Sequence, residues 1–361
     1  MRKLFPGMAV TAALAAGTAA AEVPSVATDI PPVHSLVARV MQGVGTPDLI
    51  IRPGASPHDY ALRPSEAAAL QRADLVFWVG EELTPWLEGP VSELASGAES
   101  IQLLETPGTT ELAFREGATF EAHSHGDAHE GHEEHAHDDH EGHGHEGHGH
   151  DDHGHEEHGH EEHGHDAHAH DDHGHDDHAH GEDAHGHDHH GHDPHAWLDP
   201  ENARVWLGVI ADRLAALDPE HAAAYAANAD AGRAELTALE ERINASLDGL
   251  HDTPFIVFHD AYQYFETRFG LAAAGAISIG DGAAPGAARL AEIRDKVQRL
   301  DVRCVFAEPQ FNPGLVETVL QDTEAKAGVL DPLGAKLEPG PGLYPALLQE
   351  MADGLRACLA R

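Results

Sequence analysis

A few polar side chains sit where an α/β chain would place chemistry, just past the ends of apolar runs. His58 follows the run Asp48 to Arg52 by a short loop, and His259 and Asp260 close PFIVFHD. Glu308 closes the run Val302 to Ala307, and Asp331 closes Val329 to Leu330. His195 stands in DPHAWLDP, at the exit of a histidine-rich tract. Imidazoles and carboxylates together form a donor set for a divalent cation, with imidazole favouring Zn(II), Cu(II) and Ni(II). Spacing alone does not decide the matter. There is no HExxH or CxxC, and the three histidines are more than 60 residues apart in sequence. Taken singly, each reads first as a capping or ordinary buried residue, and only their collective placement raises the metal reading.

The tract is the second feature with chemistry. Of the 34 histidines, only His34, His58, His221, His251 and His259 lie outside the span from His123 to His195. Residues 121–193 carry a large share of the chain's 63 acidic residues and no Lys or Arg. So little apolar surface cannot offset the entropy of ordering, and like charges repel, so the segment reads as a disordered insertion. Its imidazoles and carboxylates form a secondary, low-affinity metal-binding region from His123 to His192. Binding there is pH dependent, because a proton competes for each imidazole near its usual pKa of about 6.5. A solubilising spacer is the plainer alternative.

Strands and helices alternate through the rest. Apolar strands are expected at Val23 to Ile30, Asp48 to Arg52 and Leu75 to Val79, with helices at 33–41 and Ser65 to Arg72 between them. Two helical stretches follow, Glu201 to Leu217 and Pro219 to Leu250. The grammar then repeats, with strands at Pro254 to Asp260, Ala273 to Ile279, Val302 to Ala307 and Val329 to Leu330. Helices are expected at Tyr262 to Phe269, Ala287 to Leu300, Leu315 to Ala327 and Pro345 to Leu359. This predicts two Rossmann-like α/β lobes joined by a long rigid helix, with ligands in the cleft at the carboxyl ends of the strands. The expected organisation is a signal peptide at 1–21, a first lobe at 22–217 containing the tract, a linker helix at 218–250 and a second lobe at 251–361. His34, His221 and His251 are expected at the surface.

Composition narrows the partners. A net charge of −42 disfavours DNA, RNA and anionic lipid and favours cations. The basic start at Arg2 and Lys3, the apolar run from Met8 to Ala16 and the small residues before Glu22 form the pattern of a cleavable secretory signal. With no cysteine near that junction to carry a lipid, the product is expected to be exported without a membrane anchor. In an exported protein, the two cysteines, Cys304 and Cys358, suggest one disulfide rather than a thiolate zinc site.

Taken together, GASPHDYALRPS, DPHAWLDP, FHDAYQYFE, CVFAEPQF and VLDPLG resemble the zinc-binding solute-binding proteins of bacterial ABC importers, in that family's order and across essentially the whole exported chain. The resemblance implies a monomeric periplasmic protein that captures Zn(II) as transported ligand between two lobes. It would deliver the metal to a membrane permease driven by a separate ATPase. It also implies that His58, His195 and His259 are the metal ligands, and that a disulfide lies in the region of Cys304 and Cys358. A related manganese branch has Glu at the third position and an Asp of the DPLG block as fourth ligand. His259 therefore favours zinc, and Asp331 matches the fourth position. Some zinc members carry Glu before the first histidine; here Pro57 stands there, which leaves Asp331 or water. Competing readings are a metal buffer whose lobes merely display the tract, a manganese-type binding protein, and a zinc hydrolase. The hydrolase lacks a positioned general base in the sequence.

Overall fold

In the computed structural model, residues 23–115, 120, 191–278 and 285–360 are described. The segments expected to be a signal peptide and a disordered tract lie outside them, apart from the tract's last three residues. The described residues of both lobes belong to one compact unit.

The first lobe is built on β1 (Val26–Thr28), β2 (Asp48–Leu49), β3 (Leu75–Trp78) and β4 (Glu99–Gln102), all parallel, in the order β2-β1-β3-β4. The strands β1 and β3 are buried throughout, as expected of a sheet covered on both faces. Between them run α1 (Pro31–Val40), α2 (Pro64–Arg72) and α3 (Glu88–Leu94). Two prolines start α1, where their missing N–H is no loss. Its Val33, Leu36, Val37 and Val40 then face the core. Gly43, at φ 82°, turns the chain out of this helix. Past the end of β1, the buried Asp29 carboxylate accepts from Ile30 N at 2.7 Å and Val79 N at 2.8 Å, tying β1 to β3 at the carboxyl edge. Burial pushes this carboxyl up to about 7.

The second lobe repeats the plan: β5 (Phe255–Val257), β6 (Gly275–Ala276), β7 (Cys304–Ala307) and β8 (Lys326–Val329), all parallel, ordered β6-β5-β7-β8. The strand order doubles back at β1 and again at β5, and in open α/β sheets the crevice outside the strands' carboxyl ends at such a point is where ligands bind.

Between the lobes come α4 (Pro200–Leu217) and α5 (Ala222–Leu247). Asp199 caps α4, its side chain accepting from Glu201 N at 2.8 Å. At 26 residues α5 is about 39 Å long. It buries Tyr225, Ala229, Gly232, Leu236, Leu239, Ile243 and Leu247 along one face, against α1, α4 and α9 (Leu343–Leu359). Gly232 gives close packing there, since a Cβ would lie 3.0 Å from Leu207 Cδ1 and that side chain would have to shift. The final helix α9 crosses back to α1, where Tyr344 N donates to Ser35 Oγ at 2.9 Å. Cys304 in β7 and Cys358 in α9 are joined by a disulfide. The remaining helices are α6 (Gln263–Phe269), α7 (Ala287–Arg299) and α8 (Gly314–Leu320).

Two expectations are corrected. The helix expected from Leu315 to Ala327 stops at Leu320, and Lys326 and Ala327 pair with β7 instead, in register with Cys304 and Val305. Sheet pairing has overridden an ambiguous local pattern there. His34 is buried rather than at the surface, its Nε2 lying 3.2 Å from the Pro47 carbonyl. His251 is exposed, as expected, and His221 is partly exposed.

Candidate metal centre

Three loops at the carboxyl edges of the two sheets supply the site. His58 sits in the loop between β2 and α2. Trp86 shapes this loop by donating to the Pro57 carbonyl at 2.7 Å, and Ser56 Oγ by accepting from His58 N at 3.3 Å. Tyr60, beside the Trp86 ring, donates to Glu66 Oε1 at 2.7 Å and anchors the loop to α2.

His195 enters from the segment returning from the insertion and is followed by a 3₁₀ turn, Ala196–Leu198, that leads into α4. It is 5% exposed. Asp193 Oδ1 lies 2.7 Å from its Nδ1 and also accepts from its backbone N–H. A carboxylate only accepts, so Nδ1 carries the proton and Nε2 the lone pair. That Nε2 is buried without a hydrogen-bond partner.

His259 follows β5 and is equally buried. Its Nδ1 lies 2.6 Å from Glu308 Oε1 at the end of β7, and the same argument leaves Nε2 as the donor atom. The other oxygen, Glu308 Oε2, is buried and without a partner. Phe311 packs edge-on against the His259 ring, with centroids 5.4 Å apart.

The three imidazoles converge. Their ring centroids lie 5.6 Å (His58 and His195), 6.5 Å (His58 and His259) and 5.2 Å (His195 and His259) apart, and one nitrogen from each lies within 4.8 Å of the other two. They line a small cavity with Trp197, Glu308, Gln310 and Phe311. Three convergent imidazoles around such a space, with the buried Nε2 of His195 lacking a hydrogen-bond partner, have the chemistry of a cation site.

Asp331 is not part of the cluster. Its Oδ1 accepts from Gln310 Nε2, Leu333 N and Gly334 N at 3.0 to 3.1 Å, and its Oδ2 from Ala335 N at 2.6 Å, so it caps its own turn. Asp193 is the residue that sequence reasoning missed. Its place two residues before His195 in HDPHAW was the available signal, masked by the acidic run before it.

The profile of one protein family, described as zinc-uptake complex component A, periplasmic (ZnuA), matches residues 26–358. The chain belongs to this family. Among relatives, the high-affinity zinc uptake system protein ZnuA of Brucella suis biovar 1 (strain 1330) is 45% identical over 361 residues, spanning 100% of this chain and 99% of its own. The protein of the same description from Paracoccus denitrificans (strain Pd 1222) is 45% identical over 352 residues, 96% of each chain. A crystal structure of ZnuA superposes with a TM-score of 0.67 at 20% identity, covering 94% of this chain and 100% of that one. The periplasmic zinc binding protein TroA from Treponema pallidum gives 0.68 at 16% identity, over 94% and 100%. These two likenesses establish the two-lobed fold, and the family assignment establishes a solute-binding transport protein.

Proposed function

We propose that the protein captures Zn(II) between its lobes on His58, His195 and His259 and hands it to the membrane permease of an ABC importer powered by a separate ATPase. The observation that carries this reading is the convergence of three imidazoles, two of them held by buried carboxylates so that Nε2 faces the cavity. Three neutral nitrogens suit Zn(II) better than the harder Mn(II), for which carboxylate donors are preferred. Asp331 could bind only by giving up the N–H groups it caps, so the fourth ligand is a water or the unpartnered Glu308 Oε2 that lines the cavity. The working organisation is a cleavable signal at 1–21, a first lobe to 217, a linker helix at 218–250 and a second lobe to 361. The protein acts in the periplasm as a monomer without a membrane anchor. The histidine-rich region from His123 to His192 serves as a low-affinity collector beside the tight site.

Competition titration with a zinc chelator tests this on the full chain and on a chain lacking residues 121–190. The expected result is one tight equivalent in both, with the weak equivalents lost on deletion. Loss of the tight equivalent as well would make the tract the zinc binder.

The carboxylates that orient the imidazoles carry their own prediction. Substituting Glu308→Gln or Asp193→Asn is expected to lower zinc affinity about 10- to 100-fold, the usual cost of removing a ligand's hydrogen-bond partner. The same titration reads the change, with circular dichroism confirming the fold.

A further inference from the structure

Both limbs of chain that flank the insertion are fastened to the second lobe beside the metal centre. The outgoing and returning limbs pair through an antiparallel bridge between Ala113 and His192 and through Asp193 N donating to the Leu112 carbonyl at 2.7 Å. Tyr264 of α6 holds both: its hydroxyl accepts from Leu112 N at 2.9 Å and donates to the Asp193 carbonyl at 2.8 Å. Arg115 makes the strongest fastening. Its Nε donates to both Asp260 carboxylate oxygens at 3.0 Å, its Nη1 to Glu266 Oε2 at 2.9 Å and its Nη2 to Glu266 Oε1 at 3.0 Å, with a further short contact from Nη2 to Asp260 Oδ1. The guanidinium side chain is only 14% exposed and is covered by the Phe120 ring at 3.7 Å.

Asp260 is the neighbour of His259 in sequence, and Asp193 is the residue that orients His195. The contacts therefore form a closed circuit: His259 to Asp260, across Arg115 to the outgoing limb, through the bridge to Asp193, and so to His195. We propose that Arg115 is a positioning residue for zinc retention, a latch that keeps the His195 and His259 segments apposed and sets how fast the metal leaves. Only a guanidinium suits the place. Its planar fork spans two carboxylates at once, whereas a lysine ammonium is a point charge. Without the cation, Asp260 and Glu266 are left unneutralised in a buried place, and the outgoing limb loses the ion pairs that hold it to the lobe.

The inference rests on zinc binding at the three histidines, so the experiment separates the two. Zinc-loaded full-length protein is mixed with excess chromophoric chelator in a stopped-flow instrument, for the wild type and for R115M, R115K, E266Q and H58A. The wild type is expected to show a fast release of weakly held zinc and a slow phase of one equivalent that H58A abolishes. A wild type without that slow phase would overturn the zinc-capture reading itself. Given the slow phase, R115M is expected to accelerate it about tenfold or more, with R115K and E266Q in between. Zinc association should stay unchanged. A slow phase of wild-type rate in a folded R115M overturns the latch, even if its melting temperature falls. Should R115M fail to fold, wild-type rates in both R115K and E266Q overturn it equally.

Discussion

Replacing His259 by alanine is expected to weaken the tight zinc site on the order of 100- to 1,000-fold, because a full zinc sphere is worth about 10 to 16 kcal/mol and one of three imidazoles is removed. Within the second lobe the His259 ring meets Glu308, Phe311 and Tyr262, and circular dichroism of the variant checks that the fold survives its removal. Competition titration measures it, and affinity within threefold of wild type would exclude His259 as a ligand. His259→Glu is the more informative companion. It replaces an imidazole with the carboxylate that manganese prefers, so zinc should weaken and manganese gain relative to it. It also removes the N–H that Glu308 Oε1 accepts at 2.6 Å and sets two carboxylates side by side in a buried place. Their mutual repulsion favours binding a proton or a cation there. The variant's metal affinity should therefore depend more steeply on pH than that of the wild type.

Removing the Cys304–Cys358 disulfide should have the largest effect on stability. The bridge spans 54 residues of sequence, and closing a loop of that size in the unfolded chain is worth about 4 kcal/mol in the chain-entropy model. It pins α9, the helix that crosses back onto α1 and α5, to β7, the strand that Glu308 directly follows. Urea unfolding of the C304A/C358A protein should show a midpoint well below that of the oxidised wild type. Reductant should bring the wild type down to the same curve and leave the variant unmoved. Zinc affinity of the folded variant should remain close to that of the wild type. A midpoint unchanged by reductant would contradict the role given to the bridge.

The alternation of strand and helix was legible because parallel strands buried on both faces read as short apolar runs: LVFW in β3 and FIV in β5 show it directly. What was hidden is non-local. Nothing within 315–327 announces that α8 stops at Leu320, because the strand that follows, KAGV, is defined by its pairing with Cys304 to Ala307. His34 looked like a surface residue because a polar side chain near a helix start normally is one; the carbonyl that accepts it belongs to Pro47, 13 residues away. The site follows the same division. Residue type and position marked His58, His195 and His259 only as candidates, and the family resemblance is what singled them out together as a ligand set. The roles of Asp193, Glu308 and Asp331 depend on which way each carboxylate turns, and spacing does not carry that. Asp331 occupies the position where a fourth ligand was expected, yet three backbone N–H groups of its own turn and the Gln310 amide already occupy its oxygens.

Anomalous scattering at the zinc edge from a crystal of the zinc-loaded protein measures the central claim most directly. The account predicts a peak of full occupancy between the Nε2 atoms of His195 and His259 and the imidazole of His58, with any further oxygen ligand coming from somewhere other than Asp331. A peak elsewhere on the chain with this cavity empty, or a cavity metal bound without His259, would contradict it.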